Sequence, residues 1–273
     1  MELIQINLDK ILRSRLGGWK GKLIPGFLIR MLEKIIHQSE LNELLRSAYP
    51  NCGSAFSKEI LQHLNISVDV AGLNGLPQAE PFIFASNHPL GGLDGIALVA
   101  VLGNHYGDEN MKVLVNDMLM NVEPLRELFL PVNKYGSQGR NSISLLNNAL
   151  SEGKQLVMFP AGLVSRLGDD GTIADLRWQK SFVSKALEFN RRIVPVRFEA
   201  LNSPRFYKAA RRRLKSGLKF NIEQILLPSE IFRSRNKRFK ISFGTPIDAD
   251  ALHREGKSIS SIVNLCRQAS DSL

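Results

Sequence analysis

Apolar and polar positions change rhythm once along the chain. Over the first 65 residues, apolar side chains recur at three- and four-residue spacing. Leu28, Met31, Leu32, Ile35 and Ile36 show it best, with Arg30, Glu33 and Lys34 opposite. That period gathers the apolar set on one face of a helix, so the stretch is predicted to be helical. From residue 66, short apolar runs alternate with longer amphipathic stretches. Strands are predicted over 66–70, 81–85, 112–115, 130–132, 155–159, 193–198 and 239–243. Helices are predicted over 95–103, 140–152, 178–190, 204–215 and 258–270. Such alternation predicts an α/β fold with a largely parallel sheet flanked by helices. The expected organisation is an N-terminal helical, membrane-associating region over 1–65 and a catalytic-size domain over 66–273, with no repeat or low-complexity linker.

Composition narrows this picture. A chain of 273 residues with 44% apolar and 23% charged residues is neither disordered nor collagen-like, and its two cysteines make no disulfide scaffold. Cys52 and Cys266 stand far apart without CxxC spacing, which predicts reduced thiols and no structural zinc. His37, His63, His105 and His253 lack partners at metal-ligand spacing, so no metal site is expected. The longest apolar run, 96–102, is far short of the ~20 residues of a spanning helix. The opening MELIQINLDK has no secretory pattern. A cytoplasmic protein, soluble or peripheral on a membrane, is expected.

Charge is unevenly spread. Of a net +10, residues 191–240 hold 15 basic and 3 acidic residues, densest in RFYKAARRRLK (205–215) and FRSRNKRFK (232–240). No ribonucleoprotein strand or Cys/His finger accompanies it, which argues against nucleic acid. A solvated basic face is the plain alternative to an acidic partner or an anionic membrane. For the membrane, the expected contacts are Arg211, Arg212 and Arg213 together with the interfacial aromatics Trp19 and Phe27.

The richest stretch is FIFASNHPLGGLDGIALVAVLG (82–103). An apolar strand runs out at Ala85, a polar turn follows and a helix begins near Asp94. Carboxyl ends of strands are where sites form in open α/β sheets, and His88 lies there. An imidazole with an ordinary pKa of ~6.5 can accept a hydroxyl proton near neutral pH if an acid orients its other nitrogen. Asp94 is the nearest acid. On a regular helix six positions turn by ~600°, so the two could meet only across a non-helical turn, which Pro89, Gly91 and Gly92 allow. The other role open to Asp94 is the helix N-cap.

SNHPLGGLDG resembles the signature of the lysophospholipid and glycerolipid acyltransferase family, relatives of bacterial 1-acylglycerol-3-phosphate acyltransferase. That family carries NHxxxxD, and this chain has one extra residue before Asp94. The likeness continues in order through most of 66–250. LFLPVNKYG is similar to the second block, with Lys134 where an arginine stands in the family. FPAGLVSR is similar to the third block, FPEGTRS, with Ala161, Leu163 and Val164 replacing its glutamate, threonine and arginine, and Arg166 one position beyond the serine. IVPVRF is similar to the fourth. Together with DLRW (175–178) and RFEALNSPRF (197–206), the altered third block resembles the hemolysin-like branch, which includes enzymes that make amino-acid lipids.

The resemblance implies an O-acyltransferase that moves a fatty acyl group from acyl carrier protein or coenzyme A to the hydroxyl of a lyso-lipid. His88 would be the base and Asp94 its orienting acid. Asn87, Lys134, Gly162, Ser165 and Arg166 would bind substrate, and backbone amides of 160–166 would face the oxyanion. Arg140 and Lys180 are read as surface cations. GLVSR lacks the second glycine of a serine hydrolase's nucleophile elbow, and no cofactor is implied, since Gly91, Gly92 and Gly95 form no nucleotide loop. A non-catalytic lipid-binding protein and a thioesterase or lipase using water are the alternatives.

Overall fold

The computed structural model describes residues 5–16, 25–132, 136–217 and 221–273. Its centre is a seven-stranded sheet in the order β1-β9-β8-β2-β5-β3-β4. The strands are β1 (Ser67–Ala71), β2 (Phe82–Ser86), β3 (Met111–Asn116), β4 (Phe129–Val132), β5 (Gln155–Met158), β8 (Arg192–Glu199) and β9 (Arg238–Phe243). All neighbours are parallel except β8 and β9, which pair antiparallel with Phe198 opposite Ile241. The pattern of apolar runs therefore locates each strand to within one or two residues. What it omits is the two-residue hairpin of β6 (Arg166–Leu167) and β7 (Ile173–Ala174), too short to show a period.

Helices cover both faces, because the sheet is apolar on both. Side chains alternate along a strand, so Phe82 and Phe84 point one way, and Ile83 and Ala85 the other. The first face packs on α4 (Gly53–His63) and α5 (Leu93–Tyr106), through Phe56, Ile60, Leu98 and Leu102. The second packs on α7 (Ser181–Glu188) and on α11 (Ile259–Asp271), through Phe182, Val183, Ile262 and Cys266. Each fully buried side chain of this size contributes about 1.5–3 kcal/mol. Cys52 and Cys266 are free thiols.

The remaining helices are peripheral. Before α4 come α1 (Leu8–Leu16), α2 (Gly26–Ile35) and α3 (Gln38–Ser47). Beside β4 lies α6 (Gly136–Ser151), and α8 (Pro204–Lys215) packs over β6. Two short helices follow, α9 (Leu227–Arg233) and α10 (Ala249–Arg254). No described helix is long and apolar enough to cross a membrane.

The connections place the site. After β2 the chain crosses one face of the sheet as α5 and returns in β3, two places away. After β5 it crosses the opposite face as α7 and returns in β8, beyond β2. The carboxyl ends of β2 and β5 thus border a point where connections diverge to opposite faces. Such a point leaves a crevice. Both the His88 turn and the 160–166 loop emerge there.

Candidate active site

Residues 87–91 leave β2 as an irregular turn whose polar groups are tied down one by one. Asn87 sits at the strand end with both ends of its amide used: Nδ2 donates to the Phe198 carbonyl at 3.0 Å, and Oδ1 accepts the Phe198 N–H at 2.7 Å. It stitches β2 to β8, so a structural role is what the described contacts show for it. The His88 carbonyl accepts the Ser165 N–H at 2.9 Å. The His88 N–H donates to Asp175 Oδ1 at 3.2 Å. The Pro89 carbonyl accepts Asn202 Nδ2 at 3.0 Å.

His88 and Asp94 do meet. His88 Nδ1 lies 3.0 Å from Asp94 Oδ2, with the carboxylate fully buried and the imidazole 16% exposed. The extra residue in the motif is absorbed at Gly91, whose φ of +87° suits glycine and whose missing Cβ would lie 2.7 Å from Val164 Cγ2. The turn curls back far enough that Leu90 and Gly91 also donate their N–H groups to Asp94 Oδ2, at 2.9 and 3.2 Å. Since α5 starts at Leu93, Asp94 is not its N-cap.

The electrostatics follow. Burial would raise the Asp94 pKa, but the imidazole and the two amides overcome it and hold the group below its ordinary value. Burial works against a charged His88 as well. The Asp94 carboxylate outweighs it, with a further contribution from Asp175, so the imidazole pKa stands above 6.5. The Phe159 ring lies 4.1 Å from the imidazole ring, centre to centre, and walls one side. With Nδ1–H given to Asp94, Nε2 is the basic nitrogen.

The 160–166 loop supports this turn more than it offers ligands. Gly162 is exposed with φ +67°, and its N–H closes a turn onto the Phe159 carbonyl at 2.9 Å. Ser165 is buried, and its hydroxyl donates to Asp175 Oδ1 at 2.6 Å. The amides of Gly162 and Ser165 are thus already bonded within the protein, one to Phe159 and one to His88.

Arg166 is buried too. Its NH2 is 2.8 Å from Glu223 Oε1 and its NH1 donates to the Val164 carbonyl at 2.7 Å. Burial lowers its pKa, and Glu223 only partly offsets that. Arg213 reaches the same carboxylate at 3.2 Å with its side chain 10% exposed. It therefore faces inward, a correction to its expected place on a membrane surface. Arg211 is half-buried against Asp169, Arg212 is exposed, and Phe27 is 66% exposed on α2. Arg140 and Lys180 are exposed. Trp19 and Lys134 lie outside the described residues.

Three supporting residues escaped sequence reasoning. Asp175 collects Ser165, the His88 amide and the Trp178 indole N–H at 3.0 Å. Asn202 holds Pro89, and Glu223 neutralises Arg166. DLRW and ALNSP contained the first two without any spacing that assigns a role.

His88 and Asp94, an imidazole and a buried carboxylate held together at the carboxyl end of β2, have the arrangement of a base and an orienting acid. A family model described as acyltransferase matches residues 17–272. The chain belongs to this acyltransferase family. It is 42% identical to the lyso-glycine lipid O-acyltransferase of Bacteroides thetaiotaomicron over 245 residues, 90% of this chain and 89% of that one. It is 41% identical to the enzyme of the same name from Phocaeicola vulgatus over 242 residues, covering 89% and 86%. Among solved structures, the 1-acyl-sn-glycerophosphate acyltransferase of Thermotoga maritima matches at 14% identity with a TM-score of 0.47, over 90% of each chain.

Proposed function

We propose that this protein acylates the hydroxyl of a lyso-glycine lipid, taking the acyl group from an acyl carrier protein or coenzyme A thioester. The observation that carries the reading is the His88–Asp94 pair at the mouth of the crevice, in a chain 42% identical to lyso-glycine lipid O-acyltransferase. His88 Nε2 takes the hydroxyl proton as the oxygen attacks the thioester carbonyl. When the tetrahedral intermediate collapses, the C–S bond breaks and the imidazolium returns the proton to the leaving thiolate. Asp94 holds the tautomer and stabilises the imidazolium between the two transfers.

The protein works at the inner face of the cytoplasmic membrane. On α8, Arg205, Lys208, Arg212 and Lys215 follow three- and four-residue spacing and are all exposed, which supports an outward cationic stripe. On α2, Phe27 and Met31 are 66% and 49% exposed beside Arg30 and Lys34. Together they give the 1–65 region and α8 an electrostatic and an apolar means of attachment.

The test is thiol release from an acyl thioester with and without lyso-glycine lipid, alongside mass analysis of the product. Release that depends on acceptor, with a diacylated glycine lipid formed, is the expected result. Equal release into water without acceptor would mark a thioesterase.

A further inference from the structure

Beside the catalytic turn lies a second concavity, a cleft of about 510 Å³ between the β6–β7 hairpin and α8. It is joined to the turn of the base through Asp175, which lines the cleft and accepts the His88 backbone N–H. Its walls are amphiphilic. Leu163, Leu167, Leu176 and Leu214 supply apolar surface, and Arg211, Arg213 and Lys215 bring cations. Glu223 is already given to Arg166 and Arg213. The carboxylate of Asp175 is filled by Ser165, Trp178 and the His88 amide.

Arg211 is the group with capacity to spare. Among the described residues, one of its five N–H donors reaches Asp169 at 3.4 Å, a carboxylate at full exposure, and its Nε is covered without a hydrogen-bond partner. A guanidinium left so underused on a cleft wall is matched by an anion. A single carboxylate on a lipid fits these walls better than the polar, multiply charged phosphates of coenzyme A.

We propose that this cleft seats the carboxylate of the acceptor's amino-acid head group, with Arg211 as its direct ligand and Lys215 at the rim. The inference rests on the lyso-glycine lipid reading above. A glycine joined to lipid through its nitrogen presents one carboxylate and no ammonium, and glycine's small size keeps that carboxylate near the hydroxyl offered to His88. Asp169 competes with the substrate for Arg211.

The experiment compares lyso-glycine lipid with its glycine methyl ester as acceptors for the wild type, Arg211→Gln, Lys215→Gln and Asp169→Asn. Losing one charge-assisted hydrogen bond raises the KM for the carboxylate form about 10- to 100-fold in Arg211→Gln. The KM for the ester and for the thioester donor stays unchanged, so the preference for acid over ester collapses. Lys215→Gln shows a smaller change in the same direction. Asp169→Asn lowers the KM for the acid, a gain that no folding defect imitates. An unchanged acid-to-ester ratio in both Arg211→Gln and Asp169→Asn overturns the proposal, as does a rise confined to the donor KM. If the wild type acylates only other acceptors, the function reading falls first. If it acylates the glycine lipid while Arg211→Gln matches it, the cleft alone is refuted.

Discussion

The turn that carries His88 and the helix that carries Arg213 are joined through consecutive residues, Ser165 and Arg166, yet they spend charge differently. Ser165 locks the catalytic turn, bonding the His88 carbonyl and Asp175. Arg166 turns the other way and shares buried Glu223 with Arg213. In the dyad one carboxylate serves one imidazole, and the second imidazole nitrogen is kept for chemistry. In the ion cluster two cations share one carboxylate, so both guanidiniums already have a partner inside the protein. A charge near an active site is thus not by that fact a ligand. What matters is how many of its partners the fold already provides.

The largest expected effect breaks the dyad itself. His88→Ala should lower turnover by about 10²–10⁴-fold, and the melting temperature should also fall, because the fully buried Asp94 carboxylate loses its imidazole and keeps only backbone amides. Steady-state kinetics with a calorimetric melt check both halves. Turnover within a few-fold of wild type would remove His88 from the proton path.

Asp94→Asn comes next and tests the electrostatic half of the comparison. The carboxylate keeps the imidazole pKa above 6.5 in the folded enzyme. The base form is therefore lost as pH falls through that raised value, and kcat/KM in the wild type should decline with an apparent pKa above 6.5. Without the Asp94 charge, burial outweighs the smaller contribution of Asp175, so the acid limb of the variant should move to lower pH. Its rate should fall, though no further than in His88→Ala. An acid limb that stays in place would mean that Asp94 does not set the basicity of His88.

On the other side of the comparison, Glu223→Gln should leave catalysis largely intact and stability badly reduced. It strips the carboxylate from two largely buried guanidiniums, and breaking a buried pair from one side costs about 3–5 kcal/mol. Urea or thermal unfolding gives the answer directly. A variant as stable as wild type, with a raised KM for acceptor, would reverse the roles assigned to the two clusters.

How much of this was legible beforehand depends on sequence distance. The central strands such as β2 and β5 were readable because strands buried on both faces are continuous apolar runs, whereas exposed β1 and alternating β9 show a shorter or interrupted run. The dyad was readable from the resemblance of SNHPLGGLDG to the family motif, while spacing alone left helix capping open, an alternative removed by a helix that begins at Leu93. Arg166 read as a ligand because its partner lies 57 residues away, in a segment with no motif of its own. The partner of Asn87 was hidden for the same reason: the backbone it bonds belongs to Phe198, 111 residues on. Asp175 was visible inside DLRW, but one carboxylate collecting three donors from separate segments has no linear signature. In each case, pairing across long separations decides whether a polar side chain is spent or available.

The smallest expected effect uses a single helix to separate inward from outward charge. Arg212 and Arg213 are neighbours on α8, one exposed and one held on Glu223. If α8 rests on an anionic bilayer, each outward cation near the surface contributes about 1 kcal/mol, and the contribution fades beyond a Debye length. Arg212→Gln should then weaken binding to phosphatidylglycerol vesicles about fivefold in low salt, and Lys208→Gln should do the same. Arg213→Gln should leave vesicle affinity nearly unchanged while lowering the melting temperature, because its charge is already neutralised inside. Sedimentation with neutral vesicles isolates the apolar part, which Phe27→Ser should reduce and salt should not. Equal pelleting of wild type, Arg212→Gln and Lys208→Gln would show that α8 does not face the membrane. If the same two variants instead lost turnover only with acyl carrier protein as donor, the stripe would be a docking face for that acidic partner.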